Sequence, residues 1–327
     1  MIRSASSNPH LPVGITFLER GWLSSNNVVL WDEREINWID TGYVSHAEQT
    51  LSLLQRGWPN RTLTRIINTH LHSDHCGGNA LLQGVFPGAE TRIPIGQFAD
   101  VVAWDQAALT YESTGQKCPR FRVDKAIMPD ETLHLAGREW VSISAPGHDP
   151  HAVMLWNPND RILITADALW ENGFGIVFPE LSGIAAYADV ECTLNTIEGL
   201  APLTVLPGHG NFIVDVPKAL GHARSRLDKF SRNPGAHTHH ALKALLKFLL
   251  LDRKQVTWET LANWVLEASL MRDALNYGVT NNWQTVEPTA ARQWHATSQQ
   301  EQWLATALQQ LVTSGQLRTD GHTISDA

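Results

Sequence analysis

Apolar positions in this chain follow two rhythms. Over the first two thirds, short apolar runs alternate with stretches of helical spacing. "NNVVLWD" (26–32) and "INWIDTG" (36–42) predict paired strands joined by the charged "EREI". "SHAEQTLSLLQRGW" (45–58) then predicts a helix capped by Ser45. "TRIINTH" (64–70) is a strand, "GGNALLQGVF" (77–86) a helix and "TRIPIG" (91–96) a strand. From Asp130 the strands follow one another: "TLHL" (132–135), "WVSISAPGHD" (140–149), "AVMLWN" (152–157) and "RILITADAL" (161–169). A helix over "YADVECTLNTIEGL" (187–200) leads to a last strand, "LTVLPGHG" (203–210). Two runs of strands with interleaved helices predict an α/β protein of layered αββα build. No G-x-G-x-x-G follows the first strand, so a Rossmann sheet is not indicated.

The rhythm changes near "FSRNPGAHTHH" (230–240), where Asn-Pro-Gly marks a break. Beyond it, "HALKALLKFLLLD" (240–252), "TWETLANWVLEASLMRDALNYG" (257–278) and "SQQEQWLATALQQLVTSG" (298–315) read as helices. "QLRTDGHTIS" (316–325) closes with two extended pieces around an Asp-Gly turn. The expected organisation is a sandwich domain over 1–230 and a smaller helical, winged-helix-like domain over 231–327.

Composition narrows the picture. A chain of 327 residues at 43% hydrophobic content can bury a sizeable core. The net charge of -8 makes it a poor general binder of polyanions. From Arg232 onward eight Lys/Arg face eight Asp/Glu, so the tail lacks the basic footprint of a nucleic-acid reader. The three cysteines, Cys76, Cys118 and Cys192, show no disulfide-like spacing. With no signal-like apolar run in "MIRSASSNPHLPVGITFLERGW" and no membrane-length stretch, a soluble cytoplasmic protein without membrane contact is expected.

The chemistry concentrates in "NTHLHSDHCGGN" (68–79). Alternate residues leaving a strand can face one way, so His70 and His72 can grip one ion together. The following turn redirects Asp74 and His75 toward a second point. Imidazole and carboxylate suit zinc, iron or manganese. Gly77 and Gly78 allow tight packing where the loop enters a helix. Four residues do not complete two coordination spheres, and His148, Asp167 and His209 each stand just after a later strand to supply the rest. A solvated histidine loop would account for residues 70–75 but not for these three. Cys76 reads as a small buried residue under the loop, with no second cysteine beside it. His151 reaches toward the rim, whereas His46, His134 and His222 are surface or packing residues. His237, His239 and His240 read as a solvated linker at a helix start.

In order, these residues spell His-x-His-x-Asp-His, Gly-His, an Asp after an apolar strand, and a second Gly-His. Over residues 12–230 the chain resembles the metallo-β-lactamase-fold superfamily of hydrolases. The resemblance implies a four-layer αββα sandwich. It also implies two divalent ions, zinc by expectation, with His70, His72 and His148 on the first. Asp74, His75 and His209 hold the second, and Asp167 bridges the two. Such a pair lowers the pKa of a shared water toward about 7. The second oxygen of Asp74 is then the expected catalytic proton acceptor.

The substrate is less legible. "TADALWENGFG" (165–175) resembles the stretch that lines the cleft in this superfamily, which makes Trp170, Glu171, Asn172 and Phe174 candidate wall residues. Residues 98–124, with Trp104 and Tyr111, read as an insertion over the cleft, and Tyr111 or Tyr187 could donate to a developing oxyanion. "LPGHGNFIVDVPKALGHARSRLDKF" (206–230) with the tail resembles the glyoxalase II-like and β-lactamase-like protein 2 branch. Two features depart from glyoxalase II. Ala152 stands where a second histidine is usual, and the basic residues that hold glutathione have no match. The expected activity is hydrolysis of a small-molecule ester, thioester or lactone, with a homodimer left open. The alternatives are a metal-dependent ribonuclease or phosphodiesterase, and an iron-dependent dioxygenase or other non-hydrolytic metal protein.

Overall fold

The structure, a computed structural model, describes residues 11–280 and 298–327. The reading of the N-terminal stretch as lacking an export signal lies largely outside them. No helix among the described residues is long and apolar enough to cross a membrane. These residues divide into two compact units. One comprises the residues up to Leu109 with Lys117–Pro179 and Ala185–Leu227; the other comprises Thr110–Gln116, Glu180–Ile184 and the chain from Asp228 on.

The first unit holds two sheets. One has six strands in sequence order: β1 (Ile15–Leu18), β2 (Asn27–Trp31), β3 (Glu35–Ile39), β4 (Thr62–Ile67), β5 (Glu90–Pro94) and β6 (Lys125–Ile127). The other has five in reverse order: β11 (Thr204–Pro207), β10 (Ile162–Ala166), β9 (Val153–Asn157), β8 (Arg138–Ser144) and β7 (Thr132–Leu135). The predicted hairpin is β2–β3, registered Val29 to Trp38. The short strands β1 and β6 add edges that the apolar pattern does not announce.

Strand alternation builds the layers. Val28, Leu30, Ile39 and Ile67 point between the sheets and pack with Leu133, Trp140, Leu155, Ile164 and Leu206 of the second sheet. Their neighbours Val29, Trp38 and Ile66 point outward. They meet Leu54 and Trp58 from α1 (Ala47–Gly57) and its end, and Leu82 of α3 (Asn79–Val85). Truncating a residue such as Leu30 in the central layer would cost about 2–5 kcal/mol. On the second sheet, the alternate residues Met154, Leu163 and Val205 are also buried, as are Val190, Leu194 and Ile197 of α6 (Tyr187–Leu200). The expected α/β sandwich is the observed one.

Some boundaries differ from expectation. Ser45 does not cap α1; it lies in a 3-10 turn, and His46 holds the cap position while pairing with Ser24 Oγ at 2.8 Å. β4 ends at Ile67, so His70 and His72 stand on the loop beyond the strand.

In the second unit, Asn233 is a one-residue break between α7 (Val216–Arg232) and α8 (Pro234–Arg253), and its side chain accepts from Ala236 N. The histidine run is therefore helical and not a solvated linker. His237 is buried against Phe230, and His239 Nε2 meets Gln310 Oε1 at 2.7 Å. The long helix expected over 257–278 is two, α9 (Trp258–Glu267) and α10 (Ser269–Thr280), separated by an extended Ala268. The segment Thr110–Gln116 sits at that joint: Ser113 O accepts from Leu270 N at 3.1 Å, and Gly115 O from Trp264 Nε1 at 3.4 Å. Ser298 and Glu301 form a capping box on α11 (Gln299–Thr313). The Asp-Gly hairpin forms as β13 (Leu317–Thr319) and β14 (Thr323–Asp326), and β12 (Gln255–Thr257) adds a third strand against β14.

Candidate metal centre

The loop after β4 closes into a single tight turn, α2 (Ser73–Cys76), in which His75 N donates to His72 O and Gly77 N to Ser73 O. Its carbonyls are tied down from outside. Ser25 N donates to Asp74 O, while Thr41 N and Asn68 Nδ2 donate to His75 O. Glycine is needed beneath this turn. A Cβ on Gly77 would lie 2.5 Å from Val44 N, and one on Gly78 2.6 Å from Thr41 O. The packing role expected for the pair is the observed one.

All seven residues singled out for metal binding converge. Donor atoms of three groups, His70/His72/His148, His70/His75/Asp167 and Asp74/His75/His209, lie within 4.8 Å of one another inside each group. His72 Nδ1 faces His148 Nε2 at 2.8 Å, and His209 Nε2 faces Asp74 Oδ2 at 3.0 Å. Asp167 stands between the clusters, with Oδ1 3.5 Å from His75 Nε2 and Oδ2 3.4 Å from His148 Nε2. Room for it comes from Gly208, where a Cβ would fall 2.1 Å from Asp167 Oδ1.

A second layer, which the sequence reading missed, sets the direction of the imidazoles. Asp40, at the end of β3 in a left-handed conformation, accepts from Thr69 N at 2.9 Å and Thr69 Oγ1 at 2.8 Å. Its Oδ2 also meets His75 Nδ1 at 2.8 Å. Because Thr69 Oγ1 spends its proton on Asp40, it accepts from His70 Nδ1 at 3.2 Å. One carboxylate thereby turns the Nε2 atoms of both His70 and His75 into the site. Both nitrogens are buried without a hydrogen-bond partner among the described residues. His148 Nδ1 donates to Ile176 O at 2.6 Å, which aims its Nε2 inward. His72 Nε2 lies 3.8 Å from Asp149 Oδ2. The only hint of Asp40 in the sequence was a polar residue closing an apolar strand.

Electrostatics agree with this wiring. Burial, then the neighbouring imidazoles, holds His70 well below its ordinary value. Burial and His72 bring His148 down to about 4. Burial would raise Asp167, but the imidazoles of His209, His75 and His148 outweigh it and hold the carboxyl well below its usual range. Asp74 is likewise lowered against its burial by His75 and His209. His75 goes the other way: burial opposes its charge, yet Asp40, Asp74 and Asp167 lift it well above ordinary. Neutral imidazoles and ionised carboxylates are the forms that bind a cation, so a cation bound here would displace the proton that His75 takes up among the three carboxylates. Two buried carboxylates among histidines also call for compensating positive charge. The donor set fits two divalent ions.

Aromatic rings flank the cluster. Trp22, partly exposed, and Trp170 pack against the His209 ring at 5.1 and 5.2 Å, and Phe178 covers His72 at 4.6 Å. Trp170, a candidate wall residue, also reaches the cluster, since its Nε1 donates to Asp167 Oδ1 at 3.1 Å. Glu171 and Asn172 are exposed, with Glu171 O facing His222 Nδ1 at 3.0 Å. Phe174 is buried, and its carbonyl accepts from Arg226. Tyr187 opens α6 and is half-buried, whereas Tyr111 is buried and belongs to the second unit.

A two-layer β-core flanked by helices, with a His- and Asp-lined centre at the strand ends, defines a class of metal protein. The sequence profile of the Metallo-beta-lactamase superfamily matches residues 20–209, a span that holds all seven converging residues, and the chain belongs to that superfamily. Glyoxylase B2 of Dictyostelium discoideum is 30% identical over 104 residues, covering 30% of this chain and 33% of its own. A hydroxyacylglutathione hydrolase of Bartonella quintana (strain Toulouse) is 28% identical over 127 residues, covering 39% of this chain and 41% of its own. The chain thus spans about a third to two fifths of the length of the curated relatives it matches. A metallo-beta-lactamase family protein of Thermus thermophilus shares the fold with a TM-score of 0.52 at 19% identity, over 96% of this chain and 98% of that one.

Proposed function

We propose that the protein is a metal-dependent hydrolase of a small ester, thioester or lactone. The observation that carries this reading is the pair of buried, outwardly unsatisfied nitrogens, His70 Nε2 and His75 Nε2, aimed into a cluster of ionised carboxylates. His70, His72 and His148 are assigned to one divalent ion, and Asp74, His75 and His209 to the other, with Asp167 shared. Zinc is the ion we assign. Bound there, the ions supply a Lewis acid for the substrate oxygen and a water whose pKa falls toward about 7. Asp74 Oδ2 engages His209, and its other oxygen is assigned to orient the water and take its proton. Trp22, Trp170 and Phe178 present apolar faces beside this centre, which supports an apolar acyl group as the part of the substrate held there. The chemistry is assigned to residues 1–230, with 231–327 as a winged-helix-like companion domain.

Elemental analysis of the purified chain, joined to a panel of esters, thioesters, lactones and single-stranded RNA, tests the reading. About two divalent ions per chain are expected, with hydrolysis of small acyl compounds lost in His72→Ala and Asp74→Asn. Iron at one ion per chain with oxygen consumption, or RNA cleavage abolished by Asp74→Asn with no acyl hydrolysis, would overturn it.

A further inference from the structure

The expectation that Cys76 has no cysteine beside it is wrong in three dimensions. Its Sγ lies 3.6 Å from Cys118 Sγ, across 42 positions of sequence. Cys76 is buried at the end of the α2 turn, one residue after His75, and its thiol faces the carbonyls of His72 and Leu71 at 3.3 and 3.5 Å. Cys118 is half-exposed. The strand of chain that carries it is fixed on both sides of the sulfur. Lys117 N donates to Tyr43 Oη at 3.3 Å, and Arg122 exchanges two hydrogen bonds with Gln83, at 2.6 and 2.8 Å. The backbone on both sides of Cys118 is therefore held next to the α2 turn by the surrounding structure.

We propose that Cys76 and Cys118 form a reversible dithiol–disulfide pair, oxidised by a hydroperoxide, that ties the metal-loop turn to the 117–122 segment. The accessible thiol reacts first: Cys118 Sγ takes the terminal oxygen of the hydroperoxide and becomes a sulfenic acid, releasing water or an alcohol. The Cys76 thiol then attacks that sulfur. The S–O bond breaks, its oxygen leaves as water with the Cys76 proton, and the S–S bond forms. Two thiols have lost two protons and two electrons, and the peroxide has taken up both. Thiol exchange with an external dithiol reverses the step. A disulfide needs about 2.05 Å between the sulfurs, so they must close by roughly 1.5 Å. Since Cys76 is locked in the turn, the Cys118 side is expected to travel further. Cys192, exposed and remote in sequence, is the internal control.

The test uses the full chain and does not depend on hydrolysis, so its failure and that of the proposed function are separable. The protein is treated with a small excess of hydrogen peroxide, denatured in an alkylating agent and mapped by mass spectrometry, with and without dithiothreitol. A Cys76–Cys118 cross-linked peptide is expected within one chain, with Cys192 alkylated and both thiols recovered by dithiothreitol. In wild type Cys76 should be lost at the rate at which Cys118 is oxidised, whereas in Cys118→Ser the buried thiol should stay alkylatable over the same period. Equal rates in the two proteins, cross-links that involve Cys192, or over-oxidation of Cys118 with Cys76 still alkylatable would each overturn the proposal.

Discussion

Asp40→Asn isolates what the buried carboxylate behind the metal centre does. Asparagine keeps the shape and tolerates the left-handed backbone at this position, where φ is 54°. Its oxygen can still accept from Thr69 N. Its amide nitrogen, however, places donors where Oδ2 now receives both Thr69 Oγ1 and His75 Nδ1 at 2.8 Å. The conflict is relieved when His75 moves its proton to Nε2, and this removes the lone pair aimed into the site. Loss of such an orienting group costs about 10–100-fold in metal affinity, equivalent to roughly 1.4–2.7 kcal/mol. Asp149→Asn is the graded comparison. Its Oδ2 is 3.8 Å from His72 Nε2, too long for a hydrogen bond, so the loss there should stay below about tenfold. Chelator competition against each purified variant reads both affinities, and circular dichroism checks that the fold persists. Affinity unchanged in Asp40→Asn, or an equal loss in the two variants, would refute the reasoning that Asp40 sets the His75 tautomer.

Other perturbations follow from the same geometry. Trp170→Phe keeps the ring on His209 but removes the N–H that reaches Asp167 at 3.1 Å; loss of a group that orients a ligand costs about 10–100-fold in metal affinity, which chelator competition should show, whereas wild-type affinity would assign the indole to packing alone. Gly208→Ala drives a methyl to 2.1 Å from Asp167 Oδ1 and should cost about 1–3 kcal/mol of stability. A melting temperature equal to wild type in the presence of zinc would contradict that. His237 is brought down to about 4 by burial and then by His240. Its unfolded form gains a proton below its ordinary value that the folded form refuses, so stability is full above about pH 6.5 and falls as pH drops toward 4, by about 3 kcal/mol in the limit. Urea unfolding of His237→Asn should show a shallower decline over that window than wild type, and parallel curves would sink the assignment.

How much of this was legible in the sequence depends on how narrowly chemistry restricts each position. A divalent ion accepts few residue types, and strand ends are few, so His148, Asp167 and His209 could be paired with the His70–His75 loop across the whole chain. The strands themselves were legible because Val28, Val29 and Leu30 alternate between two buried faces that both demand apolar side chains. The orienting layer lacks such a restriction. Any acceptor would serve behind His75, and Asp40 lies 35 positions away from it, reached by a backbone turn that "WIDTG" does not advertise. Cys118 is hidden for the same reason, since its contact with Cys76 is made by tertiary hydrogen bonds to Tyr43 and Gln83 and leaves no local spacing. The break at Ala268 is hidden too, because Ser113 and Gly115, far back in the chain, supply the acceptors that hold the joint between α9 and α10. The same distinction explains Trp170. Its position after Asp167 marked it as a residue near the cleft, but only the fold shows that its indole nitrogen points at the carboxylate. An aromatic chosen merely to line a wall could be Phe at no cost; one that donates to Asp167 could not.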